Sequence, residues 1–361
     1  MNSLTKTHAR SRILWRRAGA LAPLLGLGLA ALLFPAASTA PSPAASSPRR
    51  GLQDIVLDTP PLRLVFRPAR WEIEVFHQQQ SVLGYAMSPF LPRPHVRGLH
   101  TLAGDSLLPE TPADSAQPRG LTFGFSVNGT NFWDEVPPVG AQFPSPLPVR
   151  FLGRTPTGLP YAFFRHSVLW LDPTNRTAPQ PVPLALLTEE RALTLTVDKA
   201  EGELALHWRS AFAVGDAAGA KAVLTGGPDH GLILPLPEDR AGRVRHVRAG
   251  TSPPPGEPGP HESDARWIAT HHERDGRAFM TVVMVGPRNA GTPRFVIRST
   301  PQPSVAATQS LDRTPLEYRA GQTFRLDYLV LAYDRPRSPA ELEDRYRRWT
   351  AEIQTAADGP R

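Results

Sequence analysis

From Pro61 onward, apolar residues recur with a period of two, in short runs separated by Pro and Gly. Leu62, Leu64 and Phe66 interleave with Arg63, Val65 and Arg67; Trp71, Ile73 and Val75 interleave with Glu72, Glu74 and Phe76. The same period predicts strands over Leu121–Val127, Tyr161–Leu171, Ala192–Val197, Glu203–Val214, Gly242–Val247, Arg266–His272, Ala278–Val285, Phe295–Arg298 and Thr323–Tyr333. Leu204, Leu206 and Trp208 share one face, as do Phe324, Leu326, Tyr328 and Val330, because successive side chains of a strand point to opposite sides. One segment has helical spacing. Ser338 caps it, Pro339 takes the first helical position, Glu341 completes an S-x-x-E box, and Leu342, Tyr346 and Trp349 form the stripe. Many short strands with one short C-terminal helix predict an all-β protein, a large antiparallel β-sandwich.

Three proline-rich stretches interrupt the pattern, Leu108–Pro118, Val136–Pro160 and Thr251–Asp264, and are expected to be surface loops or lips of a cleft. Strands of one character continue on both sides of each, so residues 60–350 are expected to form a single domain with a tail over 351–361. Residues 41–59 are Ala/Pro/Ser-rich and are expected to be a flexible tether. Pro and Gly make up 69 of 361 residues, too few for a disordered chain.

Charge changes the picture only once it is located. Of the formal +7, five cations (Lys6, Arg10, Arg12, Arg16 and Arg17) precede residue 40 with no acid among them, leaving +2 for the rest. That remainder is too small for a nucleic-acid footprint, so no nucleic-acid partner is expected. The five cations lead into the uncharged run Ala18–Phe34 and then small residues, the order of a secretory signal. Residues 1–40 are therefore expected to be a signal peptide or, uncleaved, an N-terminal anchor. The protein is expected to be exported and periplasmic, touching a membrane through that segment alone. With no Cys there is no disulfide, thiolate metal site or Cys nucleophile. His271 and His272 are adjacent on a strand and point to opposite faces, and His95 and His100 lack a third ligand. Neither a metal site nor a cofactor is expected. No phosphate-binding glycine loop, G-x-S-x-G elbow or dinucleotide fingerprint is present.

The densest stretch holds Arg93-Pro94-His95-Val96-Arg97-Gly98-Leu99-His100, then Gln117-Pro118-Arg119-Gly120-Leu121-Thr122-Phe123-Gly124-Phe125, then Val127-Asn128-Gly129-Thr130-Asn131-Phe132-Trp133-Asp134. With Leu187–Arg191, Asp229-His230-Gly231-Leu232, Gly286-Pro287-Arg288-Asn289 and Ala320–Leu326, these blocks resemble the PmoA-like family of exported bacterial proteins. The resemblance spans roughly residues 60–350. Where that family carries a His-Pro-His-His-Arg-Gly block this chain has Asp114–Gly120 without histidine, and Gly286 replaces another histidine. The resemblance therefore implies a remodelled site. No cleavage position between Pro35 and Ser47 yields an N-terminal histidine for a copper oxygenase.

Two functional classes follow. In the first, the chain binds or processes a carbohydrate, in the manner of mutarotase-type sandwiches. Its catalytic residues are unassigned, with His230, Asp229 and His95 as acid–base candidates. Arg119, Trp133, Asn128 and Arg298 are then the ligand-binding candidates: guanidinium forks suit paired hydroxyls, and an indole face suits a sugar ring. In the second, it is a non-catalytic envelope interaction or structural protein using the same cleft. For each candidate a structural reading stands beside the functional one: Asn128-Gly129 as a turn, Trp133 as core, Asp229-His230 as a turn, Arg119 as a loop-closing partner of Asp114 or Asp134.

Overall fold

In a computed structural model of the chain, described over residues 52–109, 120–134, 139–173, 184–215, 221–227, 230–237, 245–248, 261–298 and 303–358, the strands assemble into four antiparallel sheets. The first is a meander of β1 (Ile55–Thr59), β2 (Leu62–Arg67), β3 (Glu72–His77), β4 (Gln80–Ala86) and β5 (His95–Leu99). The largest takes the long strands β11 (Pro160–Asp172), β12 (Leu184–Asp198), β13 (Glu203–Val214) and β23 (Thr323–Tyr333) as its middle. It continues through β19 (Arg277–Val285), β18 (Trp267–Arg274) and β16 (Arg245–Arg248) on one side. On the other, β9 (Ala141–Pro144) and β10 (Val149–Arg154) share one edge of β11, pairing with Val168–Leu171 and Pro160–Arg165 respectively.

Two smaller sheets complete the sandwich. One runs β22 (Leu316–Arg319), β14 (Lys221–Thr225), β7 (Ser126–Val127), β8 (Thr130–Asn131). The other runs β17 (His261–Ser263), β20 (Arg294–Arg298), β21 (Ser304–Thr308), β15 (Gly231–Pro235), β6 (Thr122–Gly124). The sequence expectation of a large antiparallel sandwich with one C-terminal helix is what the chain forms.

Alternation decides what is buried. Leu187, Leu193, Leu195 and Val197 of β12 and Leu204, Leu206, Trp208 and Phe212 of β13 face inward, joining Phe66, Tyr85, Phe123 and Phe125 in the main core. The opposite face of the large sheet is treated differently at its two ends. Over β18, β19 and β23 it presents Trp267, Met280, Met284 and Leu329, and helix α1 (Pro339–Asp358) seals them with Leu342, Tyr346, Trp349 and Ile353. The cap of α1 forms as read from sequence: Glu341 accepts from the Ser338 N–H at 2.7 Å, and Glu341 N–H donates to Ser338 Oγ at 3.3 Å.

Three boundaries differ from expectation. Strand β1 begins at Ile55, inside the stretch assigned to the tether, because Ile55 and Leu57 pair with β2 and pack on the core. The stretch 136–160 is not one loop: β9 and β10 form within it, at an edge where Pro144 and Pro148 remove no needed donor. Helix α1 runs to Asp358, beyond the expected end at 350, because Ile353 extends its buried stripe.

Candidate functional site

At the centre of the sandwich sits a buried polar cluster. Glu189 and Arg191 are separated by two positions on β12 and so point to the same, inward side, each with no exposed side-chain surface. Arg191 donates to Glu189 through Nε (2.7 Å) and Nη2 (2.8 Å) and to Gln142 Oε1 (2.8 Å). Glu189 also accepts from Trp170 Nε1 (2.8 Å) and Ser210 Oγ (2.6 Å). The guanidinium lies 4.8 Å from the Trp208 ring centroid. Beside it, the Tyr85 hydroxyl meets His166 Nε2 at 2.8 Å. Burial, with the Arg191 charge adding to it, drives His166 down to about 3, so it is neutral and its Nε2 accepts the Tyr85 proton. Burial likewise raises the Tyr85 phenol to about 12. Both carboxylate oxygens of Glu189 and the Arg191 guanidinium are satisfied by partners on other strands, so the pair clamps the two layers together.

The expected site residues disperse. Arg119 and Asp229 lie outside the described residues. Asn128 (φ 51°) and Gly129 (φ 84°) form the two-residue turn between Val127 and its partner Thr130. Asn128 Oδ1 accepts from Val223 N–H at 2.7 Å, which ties that turn to β14. Trp133 and His230 do come together: a Cβ on Gly227 would lie 3.2 Å from Trp133 Cζ2, and His230 Nδ1 meets the Gly227 carbonyl. His230 is fully buried. His95 is buried one layer away, its Nδ1 at 3.3 Å from the Arg93 carbonyl, while Arg93 reaches the Asp134 carbonyl at 2.9 Å. Arg298 stands at the far end of β20, roughly 13 Å along the strand from Arg294 at the His230 end. His271 and His272 point to opposite faces, and His272 stacks on Phe279 with ring centroids 4.8 Å apart. Asn289 of the Gly286–Asn289 block holds both backbone polar groups of Asp327, accepting from its N–H at 2.7 Å and donating to its carbonyl at 2.9 Å.

The open part of the large sheet has the features of a binding surface. Opposite the core, antiparallel register aligns the outward residues in rows. One row is Phe151, Phe163, Thr194, His207; the next is Val149, Arg165, Ala192, Arg209, Asp327; the third is Ser167, Glu190, Ala211, Arg325. Small side chains (Ala192, Thr194, Ala211, Ala213) thus make a low strip on two adjacent strands, a shallow trough about 10 Å across that they share with outward Glu190 on β12 and His207 and Arg209 on β13. An aromatic wall flanks it on β10 and β11. Phe151 packs against Phe163 at 4.7 Å and against Tyr161 at 5.8 Å, and Phe143, Val149, Phe151 and Leu169 are all exposed.

A charged wall stands on the other side, at the margin of α1. Asp327 Oδ1 accepts from His207 Nε2 (2.9 Å) and Arg209 Nε (3.1 Å), and Oδ2 accepts from Arg325 Nε (2.7 Å). Burial opposes ionisation of Asp327, but the His207 and Arg325 hydrogen bonds outweigh it and hold the carboxylate far below its usual range. Asp327 is nearly buried while Arg209 and Arg325 stay one-third exposed, so the carboxylate fixes two guanidinium groups whose remaining N–H bonds face solvent. These residues were missed in the sequence because the trough exists only once register sets four strands side by side. Among the described residues, no group of three or more His, Asp or Glu side chains has metal-holding geometry, and no helix is long and apolar enough to cross a membrane.

Residues 72–347 match the model of a family of unknown function, DUF6807, and the chain belongs to that family. This overturns the resemblance to the PmoA-like family, which nothing in the match indicates. The blocks that suggested it include turn and loop-tying sequences, such as Asn128-Gly129 and Gly286–Asn289, whose roles above are those of connections between strands. The remodelled site inferred from absent histidines falls with it. No curated protein matches. Solved structures with a similar arrangement include the GH36 α-galactosidase AgaB from Geobacillus stearothermophilus, 9% identical with a TM-score of 0.46, covering 75% of this chain and 41% of that one. The galactosidase domain of the α-galactosidase-sucrose kinase AgaSK is 9% identical with a TM-score of 0.41, covering 74% and 41%. A TPR-domain containing protein from Parabacteroides distasonis is 12% identical with a TM-score of 0.36, covering 77% and 48%. The chain spans less than half the length of each, and the likeness is one of β-architecture.

Proposed function

We propose that the protein is an exported carbohydrate-binding protein that holds an oligosaccharide on the open face of its large sheet. The observation that carries this reading is the trough of Ala and Thr side chains between the Phe151–Phe163–Tyr161 wall and the guanidiniums of Arg209 and Arg325. Sugar rings present an apolar face that packs on aromatic rings and a hydroxyl edge that hydrogen-bonds in pairs to a guanidinium fork. A trough two strands wide admits a chain of such rings lying along the strands. Export rests on the charged and apolar order of residues 1–34, which lie outside the described residues.

The test is calorimetric titration of the protein and the Phe151→Ala/Phe163→Ala variant against a panel of oligosaccharides, with thermal melts alongside. Phe151 is exposed and Phe163 half-buried, both outside the main core, so the variant is expected to melt within a few degrees of wild type. It is expected to lose about tenfold or more in affinity, two stacking contacts of roughly 0.5–1.5 kcal/mol each. Wild type that binds no oligosaccharide, or a variant that binds as well, refutes the reading.

A further inference from the structure

At the ends of strands β3, β5, β12 and β23 the chain forms a half-open pocket of about 520 Å³. His77 and the run Gln78–Gln80 line one side, at the tight turn joining β3 to β4; Leu102, Lys199 and Asp334 line the other. These four contributions come from four separate connections, and hydrogen bonds fix them in place. Gln80 Nε2 donates to the Thr101 carbonyl at 3.0 Å, Asp334 Oδ1 accepts from the Ala103 N–H at 2.8 Å, and Asp334 N–H donates to the Gly202 carbonyl at 3.1 Å.

His77 is 8% exposed, lines the pocket, and its ring takes no hydrogen-bond partner from the described residues. Its ring nitrogens are not sealed from solvent, so they stay open to a group that enters the pocket. Gln78 holds φ at 57°, the left-handed conformation that the first position of the two-residue turn between His77 and Gln80 requires, and the turn thereby fixes where its amide stands.

We propose that this pocket is a binding site for a single hydroxylated ring, a free monosaccharide, independent of the trough. A sugar hydroxyl both donates and accepts, and the lining is mixed in the same way. Asp334 accepts, Lys199 donates, and the glutamine amides do both. Burial, with the nearby Lys199 charge, lowers the His77 imidazole from its ordinary value against the opposing pull of Asp334. It is therefore neutral near pH 7 and offers one donor and one acceptor. Lys199 and Asp334 face the same space without pairing, and their opposite charges cancel for an uncharged ligand. Leu102 supplies the apolar contact that a ring's C–H face needs.

The experiment is calorimetric titration of the full chain with galactose, glucose, mannose and N-acetylglucosamine, each up to tens of millimolar, with free glycine and glutamate as charged controls. Saturable binding of at least one monosaccharide is expected. His77→Ala and Asp334→Asn should each weaken it by about tenfold or more, the usual loss of a hydrogen bond to a buried or charged partner. Gln78→Gly, which relieves the turn but removes its amide, should weaken binding without lowering the melting temperature. The Phe151→Ala/Phe163→Ala variant should bind the monosaccharide as wild type does, which separates this site from the trough. Absence of saturable monosaccharide binding, preference for the zwitterionic or anionic controls, or indifference to both His77→Ala and Asp334→Asn overturns the proposal.

Discussion

Replacing Glu189 by glutamine keeps the shape of the side chain and removes its charge, and the structure dictates the outcome. Each carboxylate oxygen accepts two hydrogen bonds: Oε1 from Arg191 Nε and Ser210 Oγ, Oε2 from Arg191 Nη2 and Trp170 Nε1. Whichever oxygen becomes an amide nitrogen, its protons meet two donors, so the cluster has no flip that satisfies it. Arg191, which the Glu189 charge and hydrogen bonds hold fully ionised against its burial, then becomes a buried cation without a counter-ion. Breaking a buried pair in this way costs about 3–5 kcal/mol, against a total stability of roughly 5–15 kcal/mol for a folded domain. The assay is urea unfolding of wild type, Glu189→Gln, the single variants Glu189→Leu and Arg191→Leu, and the double variant Glu189→Leu/Arg191→Leu. The double variant removes both charges, so it is expected to lose less than the sum of the two single leucine variants, with a coupling of about 1–3 kcal/mol. A loss below about 1 kcal/mol for Glu189→Gln, or strict additivity in the leucine cycle, refutes the clamp.

Acid should weaken the fold over a defined window. His166 titrates near 6.5 when unfolded and about 3 when folded, so between those values the unfolded chain binds the extra proton. Stability is complete above the unfolded value and falls with decreasing pH through the window, by at most about 1.4 kcal/mol per unit from this residue. His246, lowered to about 4 by burial and by the nearby His261 and His271, adds slope in the upper part of that range. Melting as a function of pH should show a shallower acid slope for His166→Phe, whatever its baseline, and an unchanged slope contradicts the assignment. Gly124→Ala places a Cβ 2.5 Å from the Phe132 carbonyl oxygen and 3.0 Å from Trp133 Cα, both backbone. The variant should lose about 1–3 kcal/mol in urea unfolding, and a neutral result would mean that the Phe132–Trp133 segment yields.

What the sequence revealed was whatever is encoded locally. Strands Glu203–Val214 and Thr323–Tyr333 have the bounds that alternation predicts, and the Ser338–Glu341 cap sits where its spacing places it. Strands β9 and β10 were hidden because prolines dominate their segment, and proline is tolerated there only for a reason of topology: both lie on an outer edge of β11. The Glu189–Arg191 clamp escapes that reading: the expected strand begins at Ala192, whereas β12 begins at Leu184 and puts both residues on the parity of Leu187, Leu193 and Leu195. What alternation does not encode is their partners, since Gln142, Trp170, Tyr85 and Ser210 lie on four other strands. The candidate site shares that property. Ala192 and Ala211 are unremarkable singly, and become the floor of a trough through a register that no short window contains.

The division of the large sheet's outer face is itself an argument about use. Outward positions on β18, β19 and the later half of β23, from Leu329 on, are mostly apolar, and α1 arrives with a matching stripe to cover them. Outward positions on β12 and β13 turn to Ala, Thr and charged residues, which need no cover. Were the remaining strip on β10 and β11 merely solvated, the same logic would make it polar. Instead it keeps an exposed Phe151 packed at a tilt against a half-buried Phe163 beside exposed Val149, with Phe143 and Leu169 further along the same face. Exposed apolar side chains gathered in one place, bordered by polar groups held in fixed orientation, mark a surface that meets something else. Asp327 provides that fixed orientation: two arginines on an otherwise open sheet would sample many rotamers, and one nearly buried carboxylate removes that freedom before any ligand arrives. If that is its role, Asp327→Asn should weaken oligosaccharide binding, the arginines remaining but no longer held, and the loss should be recovered in part by Asp327→Glu. Equal loss in both variants, with binding otherwise dependent on Phe151 and Phe163, would show that the aromatic wall acts without the charged one.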